Sequence, residues 1–357
     1  MNFQPVELQY TGVYPTAGEY YGYGPDTVPV GKRFRSPITP RENFLRFMAH
    51  QPHEWVPSFE KDLNLICPDV VPDFVACGLN GGVDSFGVTW IPSHPELGLP
   101  SFVKGGNPLL KDIADWREVI QFPDVDSWDW EGSAKLYSVL DRSRASCGII
   151  LSFLFERLIL LMDFEGAAMA LVEDPEETEA LFEALCDYNI QILEHYKKYY
   201  DVDAVMVHDD WGSQRAPFFS RAVCQEVILP SFQRFNQRAH ELGVYVIHHC
   251  CGCSEDFIED MIACGSDGWQ AQPETNPNML ETIRTHKDNF VFDLYGYDVP
   301  PEITDEETVK ELVREAYSVH TRTGNVLYSV CPDNPGNTAD YDAIGYEIAR
   351  KICTGEL

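Results

Sequence analysis

Short apolar runs alternate with longer helical patterns along most of this chain, and that alternation decides its fold class. Runs of strand character stand at 55–60 (WVPSFE), 85–91 (SFGVTWI), 148–153 (GIILSF), 203–208 (DAVMVH), 244–249 (VYVIHH), 267–271 (DGWQA), 289–295 (NFVFDLY) and 326–331 (VLYSVC). The best of them are largely apolar, as strands covered on both faces must be. Helices with readable ends separate them. Thr39-Pro40-Arg41-Glu42 has a capping threonine, proline at the first position and an acid at the third. Asp174-Pro175-Glu176-Glu177 opens a helix whose apolar face carries Leu181, Leu185, Tyr188, Ile192 and Tyr196. Ser220 and Ser254 open helices that Gly243 and Gly265 close, and Thr304-Asp305-Glu306-Glu307 reads as a capping box. Strand–helix alternation implies a parallel sheet, and eight units imply closure into an α/β fold of the (β/α)8 TIM-barrel type.

The chain has 357 residues, 44% of them hydrophobic, enough for one such barrel with extensions. No repeat or linker divides it. Residues 1–40, rich in Tyr, Gly and Pro without helical or strand period, are expected to form an aromatic arm packed on the body. Residues 41–357 are expected to form a single barrel domain. Acidic residues outnumber basic ones 57 to 26, for a net charge of -31. A surface so negative repels phosphate backbones and anionic membranes, which argues against nucleic acid and membrane as partners. No run approaches the ~20 apolar residues of a membrane span. The first residues lack the basic start and apolar run of a secretory signal. Eleven cysteines, an odd number, suit reduced thiols in the cytoplasm.

Active sites of parallel barrels lie at the C-terminal ends of the strands. The residues expected there are metal ligands, carboxylates and amides rather than the usual loop formers. His248-His249-Cys250-Cys251-Gly252-Cys253 is the strongest group. Strand side chains alternate, so His249 and Cys251 face one site. Cys331, ending the last candidate strand, can reach the same mouth. Three nitrogen and sulfur ligands with one open position form a catalytic zinc pattern. Cys250 and Cys253 lack a second pair to close a structural knuckle. His208-Asp209-Asp210-Trp211-Gly212-Ser213-Gln214 follows another apolar strand. Its two carboxylates suit substrate positioning or proton transfer, and one of them could instead cap a helix. Glu60 is a further catalytic candidate. Trp90, Trp211, Gln270, Gln272 and Tyr295 are candidates for substrate contact.

These motifs carry a resemblance. Val246-Ile247-His248-His249-Cys250-Cys251-Gly252 is similar to the H-x-C-G strand of the uroporphyrinogen decarboxylase-like superfamily. His208–Gln214 resembles its D-D-x-G-x-Q segment, and Ile258–Pro273 resembles its I-x-x-L-I-E-x-G-x-D-x-x-x-x-Q-P pattern. The likeness runs over roughly residues 40–355. In the corrinoid-dependent methyltransferase branch a His, a Cys and a late Cys hold zinc, which the resemblance carries onto His249, Cys251 and Cys331. Two features depart from the pattern: Asp293–Asp298 replaces the usual Gly-Gly-Ile-Asp, and the aromatic arm is additional. True decarboxylases use an arginine-rich first segment and no metal. Here that segment reads Trp55–Asp62, with Glu60 and Asp62 where arginines would stand, so a polyanionic porphyrinogen would be repelled.

The resemblance implies a zinc-dependent methyltransferase that works with a corrinoid (cobalamin) carried by a partner protein. The aromatic residues favour methyl transfer from a methoxylated aromatic to Co(I), an O-demethylation. Methyl transfer from the corrinoid to a zinc-bound thiol, a decarboxylase-like lyase and a non-catalytic zinc scaffold are the alternatives. The sequence leaves monomer or homodimer open.

Overall fold

A computed structural model describes residues 2–15, 32–95, 99–294, 297–300, 302–328, 330–332 and 340–357. Among them seven parallel strands form one curved sheet: β1 (Leu63–Ile66), β2 (Ala145–Ile150), β3 (Ala204–His208), β4 (Tyr245–Cys250), β5 (Gly268–Ala271), β6 (Val291–Leu294) and β7 (Val326–Leu327). They are hydrogen-bonded in sequence order from β1 to β7. All six residues of β2 are buried, and β3 is buried up to His208, as expected of strands with helices outside and a filled barrel inside. The fold is of the TIM-barrel type.

The helices begin where the capping residues place them. Thr39 accepts the Glu42 N–H at the head of Pro40–Met48. Ser220 accepts the Val223 N–H, and Gly243 ends the same helical stretch in the left-handed region at φ 69°. At Glu306–His320 the cap is Asp305, accepting the Thr308 N–H, one residue later than the Thr304 box implies.

Two of the eight strand candidates take other places. Residues 55–60 form no ladder. Ser58 caps the short helix Phe59–Asp62, which leads into β1, and Pro57 accepts one hydrogen bond, from the Tyr328 N–H just after β7. Residues 85–91 supply only Thr89–Ile91, the middle strand of a small antiparallel sheet outside the barrel with Gly82–Val83 and Phe102–Val103. Asp84 folds that run back on itself by accepting the Phe86 and Val88 N–H groups.

Of the aromatic arm, residues 16–31, with Tyr20, Tyr21 and Tyr23, lie outside the described residues. The rest is anchored by charge. Glu7 is buried against Arg350 in the last helix, Tyr341–Thr354. Arg33 pairs with Asp141, and the Tyr14 ring lies against Arg33 and Arg144. Asp141 and Arg144 immediately precede β2. These anchors therefore sit at the strand end opposite the one that carries His249 and Cys251. Among the described residues, no helix is long and apolar enough to cross a membrane.

Candidate functional site

The ends of β3 and β4 bring the two sequence motifs together. Register pairs His208 with His249, and their rings stack with centroids 4.0 Å apart. Beyond the strands the chains cross closely. Cys253 donates its N–H to the Ser213 carbonyl, and Gly252 adopts φ 78°. A side chain on Gly252 would overlap the Gly212 and Ser213 carbonyls, and one on Gly212 would overlap the Cys253 backbone. Glycine is needed at both positions for the loops to interlock.

This crossing gathers Asp210, His249 and Cys251. A carboxylate oxygen, an imidazole nitrogen and the thiol sulfur from these residues all lie within 4.8 Å of one another. Cys251 Sγ stands 3.4 Å from His249 Nε2, and the Cys251 N–H donates to Asp210 Oδ1 at 2.6 Å. Two zinc bonds of ordinary length at a tetrahedral angle would separate sulfur and nitrogen by about 3.5 Å. The mixed nitrogen, sulfur and oxygen donor set fits zinc. The third donor here is Asp210, expected from sequence as an acid–base group. The Cys331 backbone lies in Val330–Pro332, which pairs in parallel with Tyr297–Val299, Cys331 opposite Asp298. Both strands follow β6 and β7, so Cys331 stands at the same end of the sheet as His249 and Cys251.

Polar neighbours hold the group. His249 Nδ1 is 2.6 Å from Gln270 Oε1, and Gln270 Nε2 donates to Asp293 Oδ2 at 2.6 Å. Glu156 Oε1 accepts the Asp210 N–H at 3.1 Å. Burial, with Asp210 and Asp209 nearby, pushes the Glu156 carboxyl well above its usual range. Burial also raises Asp210 and lowers His249. Nothing in the sequence context of Glu156 singles it out as a site residue.

Several expected site residues stand elsewhere. Asp209 is fully buried, and burial lifts its carboxyl to about 7. One oxygen accepts the Leu154 and Glu156 N–H groups at the head of Phe155–Glu173, and the other accepts the Trp211 indole N–H at 2.8 Å. It braces a helix, the capping alternative. Trp211 is also fully buried, against Phe219, Phe232, His248 and Phe257, so it is core rather than a substrate contact. Trp90 belongs to the outer antiparallel sheet, its indole N–H on Asp84. Gln270 turns its amide between His249 and Asp293. Gln272 ties the loops together, accepting from the Gly252 N–H and from Gln214. Glu60 lies in the helix before β1 instead of ending a strand. Tyr295 lies outside the described residues.

Parts of this chain are similar to known proteins. Residues 155–291, from the helix braced by Asp209 to the start of β6, match the family model for uroporphyrinogen decarboxylase (URO-D). No curated protein matches the chain. A solved methyltransferase from Methanosarcina mazei is similar in structure, with a TM-score of 0.58 at 13% sequence identity, over 88% of this chain and 98% of that one. A glycosylated endo-beta-1,4-xylanase from Gloeophyllum trabeum also matches, at a TM-score of 0.42 and 9% identity over 64% of this chain and 82% of that one. So does a family 2 AP endonuclease from Brucella melitensis, at 0.35 and 11% over 59% and 80%.

Proposed function

We propose that this chain, a member of the uroporphyrinogen decarboxylase-like superfamily, is a zinc-dependent methyltransferase that works in the cytoplasm. In this reading it moves a methyl group from the oxygen of a small substrate, a methoxylated aromatic, to the corrinoid of a partner protein. The observation that carries the reading is the meeting of Asp210, His249 and Cys251 donor atoms at the strand ends. His249 and Cys251, with Asp210 or Cys331, would hold the metal, and zinc bound there would polarise the ether oxygen of the substrate.

The chain's own residues supply the rest. Glu156, hydrogen-bonded to the backbone of Asp210, is placed to hold a proton for the oxygen that departs when methyl leaves it. Asp209 keeps Glu156 in place through the helix head. Gln272, Gly212 and Gly252 fix the loop that carries Cys251. An oxygen leaving group needs such a proton donor, so the carboxyl groups favour a methoxyl substrate. We take residues 41–357 as the catalytic unit and 1–40 as its arm.

The test mixes the zinc-loaded protein with cob(I)alamin and a panel of methoxyarenes, following the cobalt absorption spectrum. Conversion to methylcobalamin without added thiol supports the reading. Consumption of methylcobalamin only when thiol is added replaces it with thiol methylation. No exchange in either direction leaves a zinc scaffold.

A further inference from the structure

The row of side chains across β3 to β6 holds a device beyond the metal donors. Register aligns His208 with His249, His249 with Gln270, and Gln270 with Asp293 on four adjacent parallel strands. Register partners in a parallel sheet project to the same face. From His249 to Asp293 the row is joined by two short hydrogen bonds, each 2.6 Å. His249 and Asp293 are both buried, so these bonds are shielded from water.

The polarity of this row is determined at its far end. Gln270 Nε2 donates to Asp293 Oδ2, so the amide presents its NH2 to Asp293. That turns the Gln270 oxygen toward His249. An amide oxygen only accepts, so His249 must carry its proton on Nδ1. The lone pair is left on Nε2, the atom 3.4 Å from Cys251 Sγ. Metal-binding histidines depend on such partners for tautomer and ring orientation. We propose that Gln270 and Asp293 are positioning residues for the metal, a relay that holds His249 in the Nδ1–H form with Nε2 aimed at the site. Gln270 then acts on the histidine rather than on substrate. Asp293 acts two strands away from the atom it controls. The inference rests on the reading of His249 as a metal ligand.

Two measurements test it. The first loads the purified protein with cobalt(II) alone and measures affinity by chelator competition, with the visible absorption band as a signature of ligand geometry. Gln270→Leu and Asp293→Leu should each weaken affinity by roughly 10–100-fold and alter the band. Asp293→Asn should cost less, because its amide oxygen can still accept from Gln270. Wild-type affinity and spectrum in both leucine variants would overturn the relay. The second measurement needs no variant. Long-range 15N correlation of metal-free wild-type protein should show Nδ1 of His249 protonated and Nε2 bare. A protonated Nε2 would overturn the relay as well. His249→Ala separates the two readings: cobalt binding that does not change in this variant refutes the metal reading, while the 15N result still decides the relay.

Discussion

Replacing Asp209 by asparagine separates a bracing carboxylate from a catalytic one. The side chain accepts three hydrogen bonds, from the Leu154 and Glu156 N–H groups and from the Trp211 indole, and it is fully buried. Asparagine keeps the shape but has only one accepting oxygen. With that oxygen toward the helix head, its NH2 meets the Trp211 indole N–H, donor against donor. Turned the other way, it strands two backbone donors. Each buried donor left unpaired costs about 1–3 kcal/mol, so the favoured orientation, with two unmatched donors, should cost about 3 kcal/mol. At roughly 2.1 cal/mol/K per residue, the unfolding entropy of a 357-residue chain is about 750 cal/mol/K, and the midpoint should fall by about 4 °C. Thermal unfolding by circular dichroism at a fixed scan rate, beside zinc content and methyl-transfer rate, reads this out. Asp209→Asn should lose stability and activity together. A variant that melts with the wild type but transfers methyl more than a hundredfold more slowly would refute the bracing role and return Asp209 to the chemistry.

Cys251→Ala should lose its zinc while its far-ultraviolet spectrum stays unchanged, because the barrel core does not include the metal donors; full zinc retention by mass spectrometry would remove Cys251 from the ligand set. Asp210→Asn and Cys331→Ser, compared by chelator competition, decide the third ligand: the true ligand's variant should lose at least tenfold in affinity, and the other should bind as the wild type. Gly252→Ala must force a methyl group against two carbonyls at φ 78°, a strain of about 1–3 kcal/mol, and should lower both the unfolding midpoint and zinc affinity by displacing Cys251. Deleting residues 1–15 should destabilise the chain by uncovering Arg350, and should leave the KM for a methoxyarene unchanged, since these anchors hold the strand end away from Cys251.

The legible parts of the fold are those written in local chemistry. Thr39 and Ser220 cap their helices because an oxygen before an apolar period has a single good use. Runs such as Val205–Val207 and Val246–Ile247 are strands because nothing in them could face water. The two misplaced strands had competing local chemistry. Ser58 caps a helix that starts within WVPSFE, and Pro57 offers no N–H to a ladder. Asp84 gathers backbone donors on both sides of Gly87 and turns SFGVTWI into a hairpin. Trp211 follows a strand just as a substrate contact would. What buries it is Phe232 and Phe257 from two later helices together with Phe219 from the far end of its own loop, and no local pattern reports them.

The site illustrates how far alternation alone can go. Period two places His249 and Cys251 on one face, and that much follows from spacing. It does not say that Asp210 arrives beside them, because Asp210 belongs to the loop after another strand. The two loops are brought into contact by the register of β3 against β4 and by the glycines that let their backbones cross. The same register decides what Gln270 does. As the i+2 partner of Gln272 it looks like one of a pair of amides facing substrate. Set between His249 and Asp293, its oxygen and nitrogen are both engaged, and Gln272 is engaged by a different loop. Two identical side chains, one on β5 and the other just past its end, thus do unrelated work, one orienting an imidazole and the other fastening the loop that bears the thiol. The difference lies in which strand each residue neighbours, a property of the assembled sheet.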